Sequence, residues 1–133
     1  MSREILFRGK RSNGEWVYGS LVTSENTDPA IYYEVGNGLV KQLDWCYVTP
    51  DTIGQYMGLK DKNEKKIFEG DILFQGQELL GVVCISKRYG VSILKKTTTW
   101  SLINFVLDSD FDAGVLSDIE VRGNIYDTPE LMK

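Results

Sequence analysis

Two acidic stretches hold the residue types from which a reactive site is built. Glu69-Gly70-Asp71 places two carboxylates around a glycine. Buried together, such a pair can divide acid and base roles in a hydrolysis. The plainer reading is a bend at Gly70 that Asp71 fixes by accepting nearby backbone N–H groups. Asp108-Ser109-Asp110-Phe111-Asp112-Ala113-Gly114 opens like a calcium loop. That loop needs alternating oxygen ligands, a glycine at its sixth position and a bidentate glutamate at its twelfth. Here the sixth position is Ala113, the twelfth is Ile119, and Glu120 comes one residue late. The spacing describes a solvated acidic loop, and no metal or other cofactor is expected.

Two basic groups suggest a different chemistry. Lys87-Arg88-Tyr89 and Lys95-Lys96 flank Val91–Leu94, with Trp100 close by, and Arg8, Lys10 and Arg11 precede Trp16 and Tyr18. Cations interleaved with aromatics on a β surface grip single-stranded nucleic acid through phosphate contacts and base stacking. Ordinary solvated hairpins carry the same pattern. The overall balance weighs against the sharper reading: 15 Lys and Arg stand against 19 Asp and Glu, a net charge of -4. General nucleic-acid binders need a positive field to displace counterions.

Histidine is absent, which excludes Ser-His and Cys-His nucleophile pairs and imidazole metal sites. A neutral-pH base would have to be a carboxylate or lysine shifted by burial. Cys46 and Cys84 form no C-x-x-C pair and follow no secretion signal. They read as reduced, buried thiols with nothing basic beside them to activate a nucleophile. No apolar run approaches the ~18 residues of a spanning helix, so the expectation is a cytoplasmic protein with no membrane partner.

The elements that would hold these residues are short β-strands. Runs of Val, Ile, Tyr, Trp and Phe are punctuated by Gly, Asn and Asp. Asn13-Gly14 predicts a type I′ hairpin turn leading into Glu15–Leu21. Asp28-Pro29 predicts a break, and Ser24–Asp28 an exposed loop. Ala30–Val35 and Val40–Val48 follow as strands around Gly36-Asn37-Gly38, and Thr52–Met57 as another. After a charged turn over Gly58–Lys66, strands are predicted near Ile67–Phe74, Leu79–Ser86, Val91–Leu94, Thr99–Leu107 and Ile119–Tyr126. Ser101–Leu107 also fits helical spacing. Thr128-Pro129-Glu130-Leu131 predicts a terminal helical turn. Several strands are apolar on both alternations: Trp16 and Tyr18 against Val17, and Leu80, Val82 and Cys84 against Val83 and Ile85. That pattern suits strands between layers or inside a curled barrel, and most aromatics of the first 58 residues are expected in the core. A faint echo links Lys10-Arg11-Ser12-Asn13 before Trp16–Leu21 with Lys60-Asp61-Lys62-Asn63 before Lys66–Ile72.

Three stretches together resemble one family. They are Arg3–Lys10 with Gly14-Glu15-Trp16-Val17-Tyr18-Gly19; Thr52–Asn63 continuing to Ile67-Phe68-Glu69-Gly70-Asp71-Ile72; and Val121-Arg122-Gly123-Asn124-Ile125-Tyr126-Asp127-Thr128-Pro129-Glu130-Leu131. The family is that of the YopX-like proteins of phages and prophages. The resemblance implies a mainly β, β-rich α+β protein of two small lobes, the C-terminal one a small SH3-like barrel. It implies no activity. The family usually has glycine where this chain has Glu64, so a type I′ turn is disfavoured there and Asn63 is left as the residue to take positive φ.

The resulting expectation is two lobes, 1–58 and 59–133, with Asn63, Gly70 and Asp71 as structural turn residues. A lobe of this size buries only about 60% of its unfolded surface, so each gains from sheltering against another apolar face. The leading reading is a non-enzymatic homo-oligomer that binds a phage or host protein. The alternative is a nucleic-acid-associated accessory protein acting through Lys87, Arg88, Lys95, Lys96 and Trp100, or through Arg8, Lys10 and Arg11.

Overall fold

The punctuation read from the sequence becomes eleven β-strands in the computed structural model, which describes residues 5–86, 90–95, 98–101 and 118–132. The protein is mainly β, and among the described residues there is no α-helix and no helix long and apolar enough to cross a membrane. The chain divides into two compact units, Met1–Tyr56 and Met57–Lys133.

The first unit is an antiparallel sheet. Its strands are β1 (Phe7–Lys10), β2 (Trp16–Ser24), β3 (Thr27–Asn37), β4 (Val40–Tyr47) and the start of β5 (Gly54–Lys60), which continues into the second unit. They lie in the order β4-β3-β2-β1-β5. Asp28-Pro29 does not break the chain: β3 runs through it. The β2–β3 register slips between Val22 and Ser24, leaving Pro29 in a bulge where its missing N–H interrupts no regular ladder pair. Its carbonyl accepts the Val48 N–H at 3.0 Å. A 3-10 turn at Pro50–Thr52 precedes β5 and clasps the end of β1: the Lys10 N–H donates to Thr52 Oγ1 at 2.8 Å, and Thr49 N–H to the Lys10 carbonyl at 2.7 Å.

The second unit contains β6 (Lys66–Phe68), β7 (Asp71–Gln75), β8 (Glu78–Ser86), β9 (Gly90–Lys95), β10 (Thr98–Ser101) and β11 (Ile119–Asn124), closing on a 3-10 turn at Pro129–Met132. Five of them form a sheet in the order β10-β9-β8-β7-β11. Among the described residues this sheet has two ends and is not a closed barrel. Met57, Ile67, Leu73, Leu80, Val83, Ile93, Ile119 and Val121 make its core. The expected split of β8 into two alternating faces fails, because a bulge opposite Leu73 and Phe74 inserts Leu80 as an extra residue. The bulge turns both Leu80 and Val83 inward, while Ile85 is exposed and Cys84 half-buried.

The echo between the two halves is a repeated turn. Gly14 N–H donates to the Arg11 carbonyl and Arg11 N–H to the Glu15 carbonyl; Glu64 N–H donates to Asp61 and Asp61 N–H to Lys65 in the same pattern. Each is a three-residue hairpin loop, a turn followed by one left-handed residue, and not the type I′ turn expected at Asn13-Gly14. The left-handed residue is Gly14 (φ 89°) in one and Glu64 (φ 62°) in the other; Asn63 is not left-handed. Glutamate there carries backbone strain of about 1–2 kcal/mol, which the neighbouring Asp61 offsets. Its buried carboxylate accepts the Asn63 and Lys65 N–H groups on Oδ1 (2.8 and 2.9 Å) and the Val121 N–H on Oδ2 (2.9 Å).

Two stability measurements check this account. Glu64→Gly relieves the strain and raises stability by about 0.5–1 kcal/mol in urea unfolding. Asp61→Asn retains an acceptor for the loop but turns an NH2 toward the Val121 N–H, and lowers stability by about 2–3 kcal/mol.

Candidate interaction surface

Directly opposed residues of an antiparallel ladder share a face. The pairs Lys10↔Trp16, Arg8↔Tyr18, Ser20↔Tyr32, Tyr32↔Trp45, Ala30↔Tyr47 and Glu34↔Leu43 therefore assemble one face of the first sheet. Its β1 side is cationic and covered. The Arg8 guanidinium carbon lies 4.6 Å from the Trp16 ring centroid and Lys10 Nζ 5.6 Å from it, distances that suit cation–π attraction. Arg8 is 4% exposed, so it is withheld from any partner outside the fold. Arg11, in the hairpin loop, pairs with Glu15 at 3.6 Å. Trp16 thus brings two of the three N-terminal cations together, and one of those is buried.

The β4 side of the same face is apolar and open. Tyr32 and Trp45 stack at 6.1 Å between centroids, and Trp45 meets Tyr47 edge-on at 5.0 Å. Trp45 is 45% exposed, Tyr47 51% and Leu43 71%. Leu39, in the β3–β4 turn, and Val40 are also exposed. The expectation that most N-terminal aromatics are core residues is overturned: Tyr56 is buried, Phe7, Trp16, Tyr32 and Tyr33 are half-buried, and Tyr18, Trp45 and Tyr47 are exposed. The exposed row went unread in the sequence because Val40–Tyr47 mixes polar and apolar residues on both alternations. That mixture is itself a sign of a strand at a sheet edge.

Of the second basic group, Lys95 ends β9 and pairs with Thr98, and Trp100 pairs with Ile93. Lys87, Arg88 and Lys96 lie outside the described residues, as do the acidic stretch Asp108–Gly114 and the segment Leu102–Leu107, for which strand and helix were both open. Arg122, not singled out in the sequence, is bound within the second unit. It donates to Glu120 Oε1 and to the Gly76 carbonyl, both at 2.6 Å, and its guanidinium carbon lies 4.5 Å from the Phe74 ring centroid.

The carboxylate triplet has the geometry of a bend. Gly70 has φ 95°, donates to the Val83 carbonyl and accepts from Ile125 N–H; a Cβ there would sit 3.0 Å from the Tyr126 ring. Asp71 is buried, and its Oδ2 accepts the Phe68 N–H at 2.8 Å. Asn63 donates its backbone N–H to Asp61. Among the described residues no three Cys, Asp or Glu side chains are grouped as metal ligands. Cys46 and Cys84 are free and half-buried, less enclosed than expected. Burial, aided by the nearby charge of Glu69, pushes the Cys84 thiol above its ordinary range, which disfavours the reactive thiolate.

Glu120 supplies a pH test. The hydrogen bond from Arg122, with the charge of Lys62 at 3.6 Å, holds its carboxyl below the usual glutamate range. A depressed folded-state value contributes stability that is fully present above the unfolded-state pKa and lost as pH falls through the folded one. The melting temperature of Glu120→Gln therefore falls less than that of the parent chain as pH is lowered from neutrality into the acid range.

The crystal structure of protein EF1440 from Enterococcus faecalis is similar to this chain, with a TM-score of 0.53 and 20% sequence identity, covering 99% of this chain and 100% of that one. At that identity the likeness shows a shared fold. No curated protein matches the chain in sequence. The sequence model of the YopX protein family matches residues 6–133, nearly the whole length, and the chain belongs to that family.

Proposed function

We propose that this YopX protein is a phage- or prophage-encoded, non-enzymatic interaction module that works in the bacterial cytoplasm as a homo-oligomer and engages a phage or host protein. The observation that carries the reading is the open row Leu43, Trp45 and Tyr47 at the edge of the first sheet. Contiguous apolar surface of this kind marks a contact site, and Trp and Tyr are enriched at interfaces. The phage origin rests on the family resemblance. In the second unit the last strand, β11, returns beside the first strand of its sheet, β7, an order that supports reading that unit as a small SH3-like barrel. The binding of Asp71 to local backbone supports a structural role for that carboxylate.

Light scattering on the purified chain, paired with single-stranded DNA titration at low salt, tests the proposal. The expected result is a mass of two or more chains and no salt-sensitive DNA retention. A single-chain mass across the micromolar range overturns the oligomer. Retention that weakens steeply with salt supports the nucleic-acid reading instead.

A further inference from the structure

We infer that the outer edge of β4 is where two copies of this chain join, as antiparallel strands about a two-fold axis at Leu43. The inference rests on the oligomeric reading above and names its interface. Strand β4 ends the order β4-β3-β2-β1-β5, and among the described residues only β3 pairs with it. Their register runs unbroken from Ala30↔Tyr47 to Asn37↔Val40. Sheet edges are commonly protected by bulges, prolines or several lysines. This one has no bulge, no proline and a single lysine, Lys41.

The backbone phase identifies the groups on offer. Val48 N–H donates inward to Pro29 at 3.0 Å. Extending that alternation along the register turns the backbone groups of Val40, Gln42, Asp44 and Cys46 toward β3, and those of Lys41, Leu43, Trp45 and Tyr47 toward the open side. The Trp45 N–H agrees: it is taken at 2.8 Å by the carboxylate of Asp44.

Symmetry and charge then select the register. A two-fold axis perpendicular to the sheet opposes residues whose side chains share a face. Only two arrangements overlap nearly the whole strand, one centred on Leu43 and one on Asp44. Centring on Asp44 puts two carboxylates opposite each other, which is destabilising. Centring on Leu43 opposes Leu43 to its copy, Lys41 to Trp45, Gln42 to Asp44 and Leu39 to Tyr47, with no like charges facing. In this register the exposed Leu43, Trp45 and Tyr47 of the two copies lie on one face of the joined sheet, so the two apolar rows meet at the axis.

The experiment combines light scattering with amide hydrogen exchange on the full chain. Leu43 is exposed, so Leu43→Lys costs the monomer little while opposing two cations at the axis. Its measured mass falls to half that of the parent chain or less. In the parent chain the Leu43 and Lys41 N–H groups exchange about tenfold more slowly, or slower still, when concentrated than when diluted to single chains, a readout needing no variant. A parent chain that is already single overturns the oligomeric reading and this interface together. A multimer whose mass Leu43→Lys leaves unchanged, or whose Leu43 N–H exchanges freely, overturns the interface alone.

Discussion

The second unit depends on the buried carboxylate of Asp61. One oxygen holds the hairpin loop from within, and the other holds the backbone of Val121 in a strand sixty residues later. The Lys62 N–H donation to the Ile119 carbonyl at 2.8 Å lies beside it. These contacts set where β11 begins, and Ile119 and Val121 of β11 contribute to the apolar core. A carboxylate oxygen is a strong acceptor for backbone N–H groups. That strength lets the loop tolerate a left-handed Glu64 where glycine is the ordinary solution.

The first unit is organised differently. Its buried apolar residues are few among those described: Ala30, Ile31, Val48 and Tyr56. Much of its aromatic content lies instead on the sheet surface, in the cluster of Tyr32, Trp45 and Tyr47. Trp16 shows the other use of an aromatic, as a lid over Arg8 and Lys10. One sheet face thus changes from covered cations near β1 to uncovered rings at β4, and this gradient bears on function more directly than the net charge does.

What could be read in the sequence follows from how local each cause is. Strand content was legible because β-branched and aromatic runs alternate with turn residues. The hairpin at Asn13-Gly14 was legible, but its turn type was not, since Asn-Gly suits more than one geometry. Asp28-Pro29 misled because only the β2–β3 register shows a bulge that accommodates proline. The facing of Leu80 and Val83 depended on a bulge in the same way. Asp61 gave no local sign of its role, because one partner is sixty residues distant. The exposure of Trp45 and Tyr47 was hidden because strand order, not strand composition, makes β4 an edge.

The paired loops have unequal means of support, and this bears on how the protein emerges from the ribosome. The loop with Gly14 is satisfied by its own residues: Asn13 Oδ1 accepts the Glu15 N–H at 3.0 Å, and glycine takes the left-handed position without strain. It can close as soon as its short hairpin is made. The Asp61 loop instead awaits Val121, sixty residues further along the chain, before its carboxylate is fully engaged. During synthesis the first loop thus needs nothing beyond its own hairpin, while the second unit stays incomplete until β11 has followed.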